Sequence, residues 1–357
     1  MPIIPKAPGD TRVLVTGVNG YIAIWVVHYL LEQGYFVRGT VRSEAKATPI
    51  REHFKEYHES GKFEVVVIPD STQEGAYDTF VQDLDAIIHT ASPVHDEAGE
   101  PSEIINPSVQ ATLSILKSAL AHGPNIKRVI YTSSTGAIRR SAVVEESVPI
   151  TKVYTEKDWN WESVELIKKL GKDANHADKY QSSKVYAEQA AWDFVKAHEA
   201  EIGWDLCVLN LGFTMGPFLQ DWKDPASFNW TSKFFYDLVF DHTPKSKDLL
   251  EASHSSVDVR DVAIAHVLAI QKPEAGNERI LLVGAFIVTH DWIEEANRLK
   301  PDFKFSKLSI VPPYPGIRKN YSAFYDNTKA RQILGINFRG TEDMTRGLLE
   351  DYMRKGW

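Results

Sequence analysis

Cysteine is nearly missing from this chain. Cys207 stands alone among 357 residues, which excludes an internal disulfide framework, and its place in the apolar run Trp204 to Leu211 reads as a buried thiol in a reducing compartment. Long hydrophobic runs are missing too: no segment approaches the roughly 20 apolar residues of a membrane-spanning helix. Met1 to Asp10 lacks the cationic-then-apolar layout of a secretion signal, and Arg354-Lys355-Gly356-Trp357 carries no lipidation signal. The net charge of −8 comes from 40 basic and 48 acidic residues without a block of either sign, so an extended nucleic-acid footprint is not expected. His89 and His95 lack an acidic or cysteine partner at metal-ligand spacing, and no metal is expected. Asn229-Trp230-Thr231 and Asn320-Tyr321-Ser322 match the glycosylation pattern, which is idle in the cytosol. These absences describe a soluble, cytoplasmic protein with a small-molecule partner and neither nucleic acid nor membrane, with monomer and homodimer both open.

What is present is periodicity. Short β-rich runs at Arg12–Thr16, Phe36–Val41, Phe63–Ile68, Ala86–Thr90, Arg128–Ser133 and Trp204–Leu209 alternate with amphipathic stretches at Tyr21–Gln33, Pro107–His122 and Asp178–Ala200. That alternation predicts an α/β fold, a doubly wound parallel sheet of Rossmann type. After Leu209 the pattern turns aromatic, with helices near Val259–Gln271, Thr289–Leu299 and after Thr341 and a strand at Arg279–Val283. Residues 1–210 are read mainly as a dinucleotide domain and 211–357 mainly as a smaller substrate-binding lobe, with about 250–285 returning to the first.

Thr16-Gly17-Val18-Asn19-Gly20-Tyr21-Ile22-Ala23 follows the first strand and opens the first helix. Gly17 allows the tight turn, Gly20 lets backbone N–H groups approach a pyrophosphate at the helix N-terminus, and the small Ala23 permits close helix–sheet packing. The second strand ends in Val41-Arg42-Ser43-Glu44-Ala45-Lys46. Arg42 and Lys46 suit a 2′-phosphate, with no carboxylate at Val41 to repel it, so NADP(H) is expected over NAD. Asp70-Ser71, past the third strand, lies where an adenine would rest, although Asp70 also reads as a simple turn residue.

Tyr180-Gln181-Ser182-Ser183-Lys184 puts a phenol and an ammonium four residues apart on one helix face. A phenol is a poor proton donor near neutrality, and an ammonium beside it makes it more acidic. Ser134, at the end of the fifth strand, adds a hydroxyl that can donate to the same substrate oxygen.

Thr16–Ala23, Arg42, Thr132-Ser133-Ser134, Tyr180-x-x-x-Lys184 and Val257-Asp258-Val259-Arg260-Asp261-Val262-Ala263 stand in the order found in extended short-chain dehydrogenases, which the chain resembles over nearly its whole length. Gly39–Lys46, His89-Thr90-Ala91-Ser92-Pro93 and Tyr325-Asp326-Asn327-Thr328-Lys329-Ala330-Arg331 resemble the branch of dihydroflavonol reductases, cinnamoyl-CoA reductases and the yeast and fungal aldehyde, ketone and methylglyoxal reductases. Ala23 and Gly75-Ala76-Tyr77-Asp78 look most like the fungal carbonyl reductases. The resemblance implies a catalytic Ser134, Tyr180 and Lys184, with Lys184 also on the nicotinamide ribose and NADPH as hydride donor. It also implies cofactor contacts at Thr90, Ala91, Ser92, Thr132, Phe213 and Thr214. Leu211 stands where that branch usually has a proline, which puts the course of the Phe213–Thr214 loop in question.

Pro93-Val94-His95, Thr135, the loop Phe213–Phe218 and the aromatic segment Trp222–Phe235 are expected to set specificity, toward an apolar or aromatic aldehyde or ketone. A sugar-nucleotide epimerase or dehydratase would share the fold. Dehydratases commonly carry adjacent carboxylates after the active serine or threonine, however, and this chain reads Ser134-Thr135-Gly136-Ala137. A non-catalytic NADP sensor usually loses the tyrosine or lysine, and this chain keeps both.

Overall fold

Valine, isoleucine and leucine in short runs form strands that are covered on both faces, as parallel sheets require. The computed structural model describes residues 7–92, 99–140, 152–322 and 324–356. In chain order the strands are β1 (Arg12–Val15), β2 (Phe36–Val41), β3 (Phe63–Val67), β4 (Ala86–His89), β5 (Arg128–Ser134), β6 (Asp205–Leu211), β7 (Phe213–Met215), β8 (Ser253–Asp258), β9 (Arg279–Leu282) and β10 (Ala285–Val288). The first six helices are α1 (Tyr21–Glu32), α2 (Glu44–His53), α3 (Lys55–Glu59), α4 (Ser102–His122), α5 (Trp161–Leu170) and α6 (His176–Ala197). The others are α7 (Trp230–Phe240), α8 (Lys247–Glu251), α9 (Val259–Gln271), α10 (Thr289–Leu299), α11 (Thr328–Leu334) and α12 (Thr341–Arg354).

Seven parallel strands lie in the order β3-β2-β1-β4-β5-β6-β9. Side chains alternate along β1, where Val13 and Val15 enter the core shared with α1 and α9 while Leu14 enters the one shared with α4 and α6. The order reverses between β1 and β4, the switch point where such sheets leave a crevice beyond their carboxyl ends. Thr16 and Thr90 stand at that crevice.

A second, small sheet, β10-β8-β7, and an aromatic cluster centred on Tyr352 of α12 are built by the chain beyond β6. Tyr352 is fully buried and donates to the Ser232 carbonyl at 3.0 Å, so its polar tip is satisfied within that cluster. Two bonds tie α1 to the loop after β7, with Tyr21 donating to Gly216 O at 2.5 Å and Trp25 to Pro217 O at 3.0 Å, and the Phe218 N–H bonds Asp351 of α12 at 2.6 Å. The helix that opens the dinucleotide turn is thereby tied to the loop that follows β7.

Among the elements that depart from the periodicity, three show the physical reason. α4 begins at Ser102, ahead of the expected Pro107. Ile104, with no exposure, anchors the extra turn, and Pro107, inside the helix, forgoes the bond its N–H would have made to Glu103 O. β8, reading Ser-His-Ser-Ser-Val-Asp, carries almost no apolar signal and forms because β7 and β10 pair on either side of it. α7 is rich in aromatics and held by packing, with Phe235 against Trp292.

Candidate active site

The turn after β1 closes as its glycines require. Gly17 has φ +70°, and a side chain there would sit 3.2 Å from the Ala91 Cβ. The Gly17 and Val18 N–H groups bond Thr40, at its hydroxyl (3.3 Å) and its carbonyl (3.0 Å). The first helical bond of α1 runs from Ile24 N–H to Gly20 O at 3.1 Å, which leaves the N–H groups of Tyr21, Ile22 and Ala23 without a helical acceptor. Such a helix start suits a pyrophosphate. Gly39 completes the cradle, since a Cβ there would lie 2.8 Å from both methyl carbons of Val18. The residues present therefore fit a dinucleotide.

At the ends of β2 and β3, Arg42 is exposed and close enough to act on both Asp70 and Tyr77. Bonds from the Thr72 hydroxyl (2.6 Å) and N–H (2.9 Å) hold Asp70 below the usual carboxylate range, and Arg42 adds to this. Asp70 is thus a turn residue with one oxygen committed. Ser71 bonds the Tyr77 phenol, which burial raises above its usual range. Glu44 does not neutralise Arg42, because it pairs with Arg51 on its own helix. Lys46 is exposed on the first turn of α2.

Thr16 is fully buried and turns inward. Its hydroxyl oxygen accepts from the N–H groups of Thr90 (3.1 Å) and Ala91 (3.0 Å), so its one hydrogen goes to His89 Nδ1 at 3.0 Å. That assigns His89 the neutral form protonated at Nε2. Burial, and after it the Lys184 charge, push its pKa down to about 3. The Thr90 hydroxyl bonds back to Thr16 O. These two threonine side chains fix the crevice floor.

α6 starts on Asn175, whose side chain accepts from the Asp178 N–H. Tyr180 is half-buried, and Lys184 lies one turn on with Nζ 5.7 Å from the Tyr180 ring centroid and 3.0 Å from Ser92 Oγ. The Ser92 hydroxyl is therefore placed on Lys184. The Ser134 Oγ accepts from Gly136 N–H at 3.0 Å, which leaves its hydrogen for another acceptor. A Cβ on Gly136 would meet Gln181 Cγ at 3.1 Å, so the turn after Ser134 packs against the residue after Tyr180. Asn160 locks that approach, with Nδ2 reaching Gly136 O (2.8 Å) and Gln181 Oε1 (3.0 Å). Tyr325 braces the same turn from behind through a bond to the Thr135 side chain.

Other positions land elsewhere. Thr132 bonds His266 of α9 at 2.8 Å beneath the sheet, away from the crevice. Ser133 points to the opposite face from Thr132, toward α6. Leu211, in register with Ser134 and Leu282, ends β6, and Gly212 then carries the chain into β7. Thr214 is buried and its hydroxyl bonds Gly212 O at 3.1 Å, while Phe213 is half-buried.

The aromatic segment divides in two, which corrects the expectation that Trp222–Phe235 as a whole lines the substrate. Phe218, Trp222 and Phe228 stack into the Tyr352 core, and Phe235 is fully buried against Trp292. Phe213, Trp230 and Phe234 form a separate group, with ring centroids 5.5–5.6 Å apart. His254 joins them at 5.2 Å from Phe213, and Trp230 is 63% exposed. Pro93-Val94-His95 lie outside the described residues. The sequence reading missed Asn160 and His254, whose residue types carry no signal without their neighbours.

Residues 13–284 match the NAD dependent epimerase/dehydratase family. The chain is 30% identical to the NADPH-dependent methylglyoxal reductase of Saccharomyces cerevisiae, over 93% of this chain and 95% of that protein. It is 31% identical to cinnamoyl-CoA reductase 1 of Arabidopsis thaliana, over 100% of this chain and 93% of that protein. The crystal structure of yeast methylglyoxal/isovaleraldehyde reductase complexed with NADPH superposes with a TM-score of 0.82 at 28% identity, covering 96% of this chain and 98% of that one. The chain belongs to the NAD dependent epimerase/dehydratase family, the extended short-chain dehydrogenases, and is similar within it to the NADPH-dependent carbonyl reductases of yeast.

Proposed function

We propose that Tyr180, Lys184 and Ser134 reduce an apolar or aromatic aldehyde or ketone to its alcohol. The chain is an NADPH-dependent carbonyl reductase. The observation that carries the site assignment is the meeting of the Ser134 turn and the Tyr180 helix at Gly136 and Gln181, beside the crevice of the dinucleotide turn.

NADPH, when bound, supplies the hydride that adds to the carbonyl carbon. Backbone N–H groups at Tyr21 and Ile22 would hold the pyrophosphate, with Asn19 in the same turn and Ala91 against it, and Arg42 would hold the 2′-phosphate, with Lys46, Asp70 and Ser71 around the adenosine end. The Ser134 hydroxyl donates to the carbonyl oxygen, whose growing negative charge strengthens that bond. Tyr180 Oη transfers its proton to the same oxygen and is recharged from solvent. Lys184 Nζ, held by Ser92, faces the phenol ring and favours the phenolate left behind. Phe213, Trp230 and Phe234 receive the apolar part of the substrate. Thr135-Gly136-Ala137 offers no acid–base pair for removing water across a C–C bond. The buried thiol of Cys207, raised to about 12 by burial, suits a protein working in the cytosol.

The test is NADPH oxidation with a panel of aromatic and aliphatic aldehydes and ketones. Substrate-dependent loss of NADPH absorbance, strongest with aromatic carbonyls, is expected, and its absence across the panel would refute the reading.

A further inference from the structure

α6 carries a charge that the reaction does not use. Glu188 lies one turn beyond Lys184 and two beyond Tyr180, and its side chain has no exposure. Its Oε2 accepts from Ser133 Oγ at 2.6 Å and from Asn210 Nδ2 at 2.8 Å, and its Oε1 from Arg279 Nε at 2.5 Å. Those three donors sit on β5, β6 and β9, which are consecutive neighbours in the sheet. Arg279 is itself fixed, with Nη1 donating to Asp158 O at 2.9 Å and the guanidinium lying 3.8 Å over the Trp159 ring.

A buried ion pair is a poor way to stabilise a helix–sheet contact, since apolar residues of like volume do as well without the desolvation cost. What a carboxylate with three donors supplies is direction. An apolar ridge tolerates a small slide along the sheet, whereas these bonds fix α6 both along its axis and about it. The strand residues concerned adjoin the reaction centre: Ser133 precedes Ser134, and Asn210 Nδ2 also reaches the Ser134 carbonyl at 3.4 Å. We propose that Glu188 is a positioning residue that sets the helix bearing Tyr180 and Lys184 against the strand bearing Ser134, so that phenol and hydroxyl converge on one substrate oxygen. Ser133 then serves Glu188 and not the substrate. The inference rests on the roles assigned above to Tyr180 and Ser134.

Glu188→Gln keeps the shape and weakens the directing bonds, and Ser133→Ala removes one bond without stranding a charge. We expect Glu188→Gln to lower kcat roughly 10- to 100-fold, as misplacement of reacting groups does. The solvent deuterium isotope effect on kcat should rise, because proton transfer from a misaligned phenol becomes limiting, while KM and the NADPH Kd stay within about twofold of wild type. Ser133→Ala should lower kcat less, and the double variant no further than Glu188→Gln alone, because both act through one bond network. If Glu188→Gln does not fold, Ser133→Ala carries the test. A fall in Tm with kcat and isotope effect unchanged in whichever variant folds would make the network merely structural and overturn the proposal. Tyr180→Phe in parallel separates the two levels. Inactive Tyr180→Phe beside fully active Glu188 and Ser133 variants removes only the positioning role, whereas active Tyr180→Phe removes the site assignment and this proposal with it.

Discussion

Acid should destabilise this protein through histidines that burial holds uncharged, His89 and His266 foremost. His89 is 1% exposed and titrates at about 3, and His266, with no exposure, at about 4, both lowered chiefly by burial from an ordinary value of 6.5. His266 gives its Nδ1 proton to Val262 O at 2.7 Å and accepts the Thr132 hydroxyl at Nε2, so a second proton would turn an acceptor into a donor. For His89 the conflict is harder, because the hydrogen already on Nδ1's side belongs to Thr16. Between the folded and unfolded pKa values the unfolded chain binds more protons, so stability falls as pH drops through 6.5 and continues to fall toward 3–4. Each histidine then costs about 2 kcal/mol between about pH 7 and about pH 5, or about 4 kcal/mol together, a large share of a net stability of about 5–15 kcal/mol. The assay is urea unfolding of wild type and of His89→Asn/His266→Gln at both pH values, each protein serving as its own reference so that packing losses cancel. The double variant should lose about 4 kcal/mol less than wild type on acidification. Equal losses in the two proteins would refute the reasoning.

Arg42→Asp should lower the NADPH/NADH ratio of kcat/KM roughly 10- to 100-fold, the worth of a charge-assisted phosphate bond, and an unchanged ratio would make Arg42 a surface cation. Gly39→Ala pushes a methyl into Val18 and so displaces the dinucleotide turn; the NADPH Kd should rise and stability fall by about 1–3 kcal/mol, read by fluorescence titration and thermal unfolding. Trp230→Ala should cut kcat/KM for an aromatic aldehyde roughly tenfold while sparing a small aliphatic one. Equal losses on both would remove Trp230 from the substrate wall.

The parallel sheet and its crevice were legible because their signals are local: Val13 to Val15 alternate between two cores, and Gly17 and Gly20 mark a turn only glycine closes cheaply. Tyr180 and Lys184 were legible for the same reason, being four apart on one helix. Thr16, Thr90 and Thr132 were harder, since a hydroxyl at a strand end reads the same whatever it bonds, here His89 for Thr16, the Thr16 carbonyl for Thr90 and His266 for Thr132. The aromatics after Leu211 were ambiguous in kind, because Trp222 and Trp230 differ only in whether Tyr352 stands nearby. Glu188 and His254 gave no signal, as their partners are distant in the chain, and Asn160 caps α5 locally through Ser163 while its bonds to Gly136 and Gln181 are distant.

The most direct measurement of the central claim is single-turnover oxidation of NADPH bound to Tyr180→Phe, with excess carbonyl substrate. The phenol's role predicts a rate lower by about 10²- to 10⁴-fold with the NADPH Kd within about twofold of wild type. Turnover at the wild-type rate would contradict it.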